Sequence, residues 1–283
     1  IANKLKSNIR QLEGVVKKLK AYKLLVGSPT TILIAQNAIR DIFNDSQPIQ
    51  VTVERIRLAG EDDRYDVTAL VPTAPIDGEA MYASVEALLD SITDADYKAV
   101  CRELLRRHSE SFRTIPAAKS VHHGFVGGLL EHTLSVMKLC DYFAAVYPRL
   151  NRDLLLTGAL FHDIGKTREL SAFPENDYTD DGQLLGHIII GTEMVSERIR
   201  EIPGFPEKLA AELKHCILAH HGELEYGSPK KPALFEAVAL SLADNADAKL
   251  ETMNEIIAGA GDNNGWLGYN RLLESNVRKT TEF

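Results

Sequence analysis

The sequence predicts a mainly α protein, a helical bundle behind a small β-containing N-terminal segment. Apolar residues alternate at period two in stretches before residue 75, and that alternation vanishes near Gly78. Long segments of 3.6-residue periodicity then follow one another to about Ala258. Histidines and aspartates recur inside those otherwise apolar segments, which places a polar cluster in the interior of the bundle.

Residues 1–25 carry helix-like apolar spacing with many lysines. Thr30–Ala35 (TTILIA), Ile49–Leu58 (IQVTVERIRL) and Tyr65–Val71 (YDVTALV) have the alternation of strands, separated by turns containing Gly, Asp and Pro. Helices are expected near 79–92, 95–113, 127–147, 151–162, 186–201, 206–221 and 233–257. Pro148, the loop 174–183 (PENDYTDDGQ), Pro203-Gly204 and the loop 222–232 (GELEYGSPKKP) separate them. The expected organisation is therefore a small N-terminal segment over 1–74, a helical domain over 75–258 and a C-terminal extension over 259–283. That last stretch, rich in Asn and Gly, reads as loosely attached.

Composition bounds the function. With 45% hydrophobic and 25% charged residues among 283, the chain can build a sizeable core. No apolar run reaches the roughly 20 residues that span a bilayer, and the start, IANKLKSNIRQLEG, lacks the apolar stretch of a secretory signal. Cys101, Cys140 and Cys216 are odd in number and far apart, so a disulfide framework is not expected. A cytoplasmic protein without a membrane partner is the expectation, and a homo-oligomer is compatible with it. The net charge of -8 argues against a protein that coats nucleic acid. It does not exclude a nucleic-acid enzyme, because bound divalent cations reverse the potential inside a carboxylate-lined pocket.

The chemistry concentrates in a few positions. His132 lies in GGLLEHTLSVMKL, His162-Asp163 ends RDLLLTGALFHDIGK, and His187 opens GHIIIGTEMV. His220-His221 closes a helix before Gly222, and Asp244 sits within ALFEAVALSLADNADAK. A buried carboxylate needs a partner or it shifts its pKa and neutralises. Few basic side chains are spaced to serve; Lys166 follows Asp163 by three residues and Lys249 follows Asp244 by five. One or two divalent metal ions satisfy these carboxylates and account for several imidazoles aimed at one place. The mixed nitrogen and oxygen donors suit Mn, Fe, Zn, Ni or Co rather than Ca or Mg alone, with Mg retained among the candidates. The spacings of 30 residues from His132 to His162, 24 from Asp163 to His187 and 23 from His221 to Asp244 fit one ligand per helix, not a zinc finger. A lone histidine in an amphipathic helix is most often packed or solvated, and His108 and His215, among charged neighbours, are read that way. His122 and His123 precede the glycines at 124, 127 and 128, which leave their facing open. Asp247 is read as a solvated helix residue ahead of a partner for a ligand.

The ordered set H…HD…H…HH…D, centred on HDIGK, resembles the HD-domain metal-dependent phosphohydrolases. That resemblance implies an HD-domain helical bundle in which His132, His162, Asp163 and Asp244 hold one metal. It also implies a second metal at His187, His220 and His221, with Asp163 bridging. The stretches HHGFVGGLLEHTLSV, LNRDLLLTGALFHDIGKTREL, YTDDGQLLGHI, HHGELEYGSPKKP and LADNADAK are similar to the YhaM-type 3′→5′ exoribonucleases, over roughly residues 75–255. Those proteins carry an OB-fold domain ahead of the HD domain. Here IQVTVERIRLA resembles the last strand of such a fold, while the residues before it lack the remaining strands and a run of stacking aromatics, so only a partial OB-like segment is expected.

The expected chemistry is metal-assisted hydrolysis of a phosphodiester, most readily as a 3′→5′ exonuclease on single-stranded RNA, with single-stranded DNA a related substrate. Asp163 and Lys166 are the candidate catalytic residues, and Lys166, His123 and Arg168 the candidates for substrate contact. The alternatives are a phosphohydrolase of small nucleotides (monophosphates, cyclic dinucleotides or alarmones) and a regulatory module that senses a nucleotide without turnover.

Overall fold

The computed structural model describes residues 77–118, 124–172, 176–261 and 263–281. The strands expected before residue 75, the partial OB-like segment, and His122 and His123 lie outside the described residues.

The bundle consists of α1 (Gly78–Asp90), α2 (Ala95–Thr114), α3 (Gly128–Val146), α4 (Arg152–Phe161), α5 (Lys166–Glu169), α6 (Asp180–Leu184), α7 (Gly186–Glu201), α8 (Glu207–Ala219) and α9 (Phe235–Ala258). The seven long helices fall where the periodicity expects them. The starts of α1, α2 and α4 are fixed by side chains that accept from orphan amides of the first turn. Asp77 caps α1, Asp94 caps α2 through the amides of Asp96 and Tyr97, and Asn151 caps α4 through Leu154 at 3.1 Å. Asp153 Oδ2 accepts from the amides of Thr93 (2.9 Å) and Asp94 (2.7 Å), tying the α1–α2 turn to α4.

The core is organised around α4. Every residue from Leu154 to Phe161 is buried, so this helix has no solvent face and is packed by α2, α3, α8 and α9. Gly158 permits the close approach, since a Cβ there would lie 3.2 Å from Cys216 Cβ and 3.4 Å from a Leu240 methyl. Each fully buried leucine of α4 contributes about 1.5–3 kcal/mol relative to exposure. All three cysteines are buried free thiols. No helix among the described residues is long and apolar enough to cross a membrane.

Two features differ from expectation. Within the stretch read as loop 174–183, Asp180–Leu184 forms α6, capped by Thr179 Oγ1, which accepts from the Gly182 amide at 3.0 Å. The C-terminal extension contains an antiparallel hairpin, β1 (Trp266–Asn270) with β2 (Ser275–Arg278). Its turn is held by Asn270 Oδ1, which accepts from the amides of Leu272 (2.9 Å) and Leu273 (3.0 Å).

Candidate metal centre

The turn after α4 brings the site together. His162 ends α4 and Asp163 follows, both buried. The chain then turns so that Gly165 lies against the start of α7: a Cβ on Gly165 would stand 2.0 Å from the His187 carbonyl oxygen and 2.7 Å from the Gly191 amide. Only glycine permits that contact, and it sets His187 beside Asp163.

Five imidazoles share one design. His162 Nδ1 donates to the Ala159 carbonyl (2.8 Å), His220 Nδ1 to the Ile217 carbonyl (2.7 Å) and His221 Nδ1 to the Tyr226 carbonyl (2.8 Å). His132 Nδ1 donates to Asp247 Oδ2 (2.7 Å) and His187 Nδ1 to Glu169 Oε1 (3.1 Å). A carbonyl or carboxylate can only accept, so each Nδ1 holds the proton and each Nε2 of a neutral ring presents a lone pair. This is how metal-ligating histidines are oriented. His162 and His220 also stand at the C-termini of α4 and α8, where the helix dipole favours a cation.

The Nε2 atoms gather on the two oxygens of Asp163. Oδ2 lies 3.5 Å from both His132 Nε2 and His162 Nε2, and Asp244 Oδ1 is 3.2 Å from His132 Nε2 and 3.8 Å from His162 Nε2. Oδ1 lies 3.4 Å from His187 Nε2 and 3.7 Å from His220 Nε2, with the His221 ring beside that of His187. Ligands about 2.1 Å from one ion sit about 3.0–3.4 Å from each other in octahedral or tetrahedral arrays. These separations run from 3.2 to 3.8 Å, close to that range and a little wide on both sides.

Unsatisfied atoms mark the same place. Asp163 Oδ1, His187 Nε2 and His220 Nε2 are buried without a hydrogen-bond partner. His132 Nε2 and His162 Nε2 face one another at 3.1 Å, which two neutral lone pairs do not tolerate without a cation between them. In the metal-free chain a proton serves. Burial opposes charge on His132, but hydrogen bonds to Asp244 and Asp247 overcome it and push the pKa up to about 10. Burial holds His162 and His220 below the usual histidine value, the latter well below. Asp163 is held well below the carboxylate range: burial would raise it, and Lys166 and the surrounding histidines outweigh that. The donor set thus fits divalent cations, His132, His162 and Asp163 forming one group and His187, His220 and His221 another.

Among the candidates for substrate contact, Lys166 Nζ lies 2.5 Å from Asp163 Oδ2, with its side chain largely buried. Arg168 is exposed and paired to Asp181 at 3.0 Å, away from the cluster's interior. His215 Nε2 accepts from the Ala233 amide (2.9 Å), a structural role, and His108 is half-buried, its pKa lowered by burial and Arg107. The reading of Asp247 as a solvated residue is corrected, because its carboxylate orients His132. Glu169 was not singled out by the sequence, yet it also accepts from the His187 amide at 2.9 Å and so fixes both ring and backbone.

Residues 129–249 match the HD domain family, and residues 87–145 match a second family described as a putative helicase. The chain is similar to the 3′-5′ exoribonuclease YhaM of Bacillus velezensis, with 36% identity over 240 residues, covering 83% of this chain and 76% of that protein. No solved structure matches.

Proposed function

The chain belongs to the HD-domain family that includes the exoribonuclease YhaM, and from that premise we propose that it is a metal-dependent phosphodiesterase removing nucleotides from the 3′ end of single-stranded RNA. The observation that carries this reading is the convergence of four oriented Nε2 atoms, those of His132, His162, His187 and His220, on the two oxygens of one buried aspartate, with His221 grouped beside the last two. In this proposal residues 75–258 form the catalytic domain, 1–74 a segment that supports substrate binding, and 259–283 an extension.

His132, His162, Asp163 and Asp244 would hold one divalent ion, and His187, His220 and His221 a second that shares Asp163. Such ions supply an acidified water and neutralise charge on the phosphoryl group. The protein's part is positioning. Asp247 and Glu169 keep the rings of His132 and His187 in the tautomer that exposes Nε2. Asp163 stays ionised because Lys166 and the imidazoles surround it. Lys166, held beside Asp163, places an ammonium where a non-bridging phosphate oxygen would enter.

The test is hydrolysis by the manganese-loaded protein of 3′-labelled and 5′-labelled single-stranded RNA, beside a panel of nucleotides. A 3′→5′ exonuclease releases a labelled mononucleotide at once from the 3′-labelled strand and shortens the 5′-labelled one stepwise. Turnover confined to the nucleotide panel would instead make it a small-nucleotide phosphohydrolase. Metal binding with no hydrolysis of any substrate would make it a sensor.

A further inference from the structure

The C-terminal hairpin carries an outward face whose composition the catalytic cluster does not explain. Trp266 pairs with Arg278, Gly268 with Val277, and Tyr269 with Asn276. Between Trp266 and Gly268 the register shifts by one residue, a bulge taken up at Gly268, whose φ of +96° side chains rarely adopt. Without the bulge, alternation would set Trp266 and Tyr269 on opposite faces. With it, residues 267 and 268 both stand opposite Val277, and Trp266, Tyr269, Asn276 and Arg278 share one face.

That face is open. Trp266 is 66% and Tyr269 64% exposed, whereas Val277 on the reverse side is 3% exposed. The two aromatic positions are opposite residues two apart on β2, which separates them by about 6.6 Å. That is roughly twice the spacing of stacked bases, about 3.4 Å. The extension is less acidic than the chain as a whole: over residues 259–283, Arg271, Arg278 and Lys279 balance Asp262, Glu274 and Glu282, in a protein of net charge -8. Arg278 stands directly opposite Trp266 on the open face. Two exposed rings beside a guanidinium group that pairs with no carboxylate among the described residues are what a single-stranded polyanion with π-faced bases requires.

We propose that this hairpin face is a stacking platform for single-stranded RNA, with Trp266 and Tyr269 taking adjacent bases and Arg278 a neighbouring phosphate. The proposal rests on the reading of the chain as acting on RNA, and it extends that reading to a surface outside the histidine cluster.

Trp266 is the sole tryptophan of the chain, so its fluorescence reports on this face alone. The experiment titrates the full chain, with chelator present to prevent turnover, with a 12-nucleotide oligouridylate. The same titration is repeated with the corresponding duplex and with uridine monophosphate. The expected result is saturable quenching by the single strand and little by the other two. Tyr269→Ala keeps the reporter and should weaken binding about tenfold, as loss of one stacked base does. Followed by the anisotropy of labelled RNA, Trp266→Ala should weaken binding similarly and Trp266→Phe restore most of it. Arg278→Ala should lower the slope of log affinity against log salt by about 0.7.

RNA that binds by anisotropy without quenching Trp266, or no RNA binding at all, would overturn the proposal. A fluorescence change that follows protein concentration without RNA, with a matching rise in sedimenting mass, would assign the face to a second copy of the chain and overturn it too. The two readings fail separately. Quenching by RNA that is never hydrolysed would leave the platform and remove the exonuclease, whereas hydrolysis without quenching would do the reverse.

Discussion

Asp247→Asn isolates how much a carboxylate that need not touch a metal contributes to holding one. Asp247 Oδ2 accepts from His132 Nδ1 at 2.7 Å, from a side chain only 12% exposed. The asparagine oxygen can still accept that hydrogen bond, so ring orientation survives while the charge is lost. The rise of the His132 pKa from 6.5 to about 10 corresponds to on the order of 5 kcal/mol in favour of the charged ring, net of burial. Asp247 shares that effect with Asp244 and with the charge of Asp163. Removing an outer partner of a ligating histidine typically weakens metal affinity by about 10–100-fold. The half-saturating manganese concentration, followed by calorimetry and by turnover, should rise by about 10–100-fold, and most of the turnover should return at saturating metal. Asp247→Ala, which also frees the ring, should be worse on both measures. A folded Asp247→Asn protein with unchanged manganese dependence would refute the reasoning and return Asp247 to a solvated role.

Asp163→Asn should abolish turnover by several orders of magnitude and remove any metal-dependent rise in melting temperature. It should also lower metal-free stability by up to about 3–5 kcal/mol, since Lys166 loses its buried partner; retained activity at normal metal content would contradict the proposed site. For pH, the folded pKa of His132 lies above its ordinary value. Its contribution to metal-free stability is therefore complete below about pH 6.5 and lost as pH rises toward 10. A metal must displace that proton, so manganese-induced stabilisation should grow over the same window; a pH-independent increment in thermal scans would count against it. Gly165→Ala should destabilise by about 1–3 kcal/mol or more and depress activity, because the added Cβ meets the His187 and Gly191 backbone. Gly78→Ala, with open space around it, is the control, and equal melting temperatures for the two would dismiss the close contact.

The long helices were legible because their apolar spacing is regular and their breaks carry Pro, Gly or a capping Asp or Asn. The candidate ligands were legible for a related reason. His132, His162-Asp163 and Asp244 interrupt apolar stretches where a polar group is costly, so each stands out against its neighbours. Glu169 and Asp247 were hidden by the converse. Glu169 sits in KTRE and Asp247 in ADNADAK, stretches that resemble any solvated surface. Glu169 is buried because α6 folds back over it, with Gly182 packed against its carbonyl, and because the start of α7 closes on its carboxylate through His187. Periodicity along one chain segment does not register such a tertiary event. The hairpin escaped notice because its bulge breaks the alternation by which strands are read.

The contact at Gly165 also bears on how the site opens. The main chain beside Asp163 abuts the first turn of α7, so the two histidine groups are registered through backbone and not through adjustable side chains. Neither group can then be dismantled without the other, and the turn of residues 162–166 and the start of α7 should behave as one unit of local unfolding. An ion bound on one side would slow exchange of amide protons on both. The price of that rigidity falls on loading, since ions must enter a pocket whose walls do not part independently.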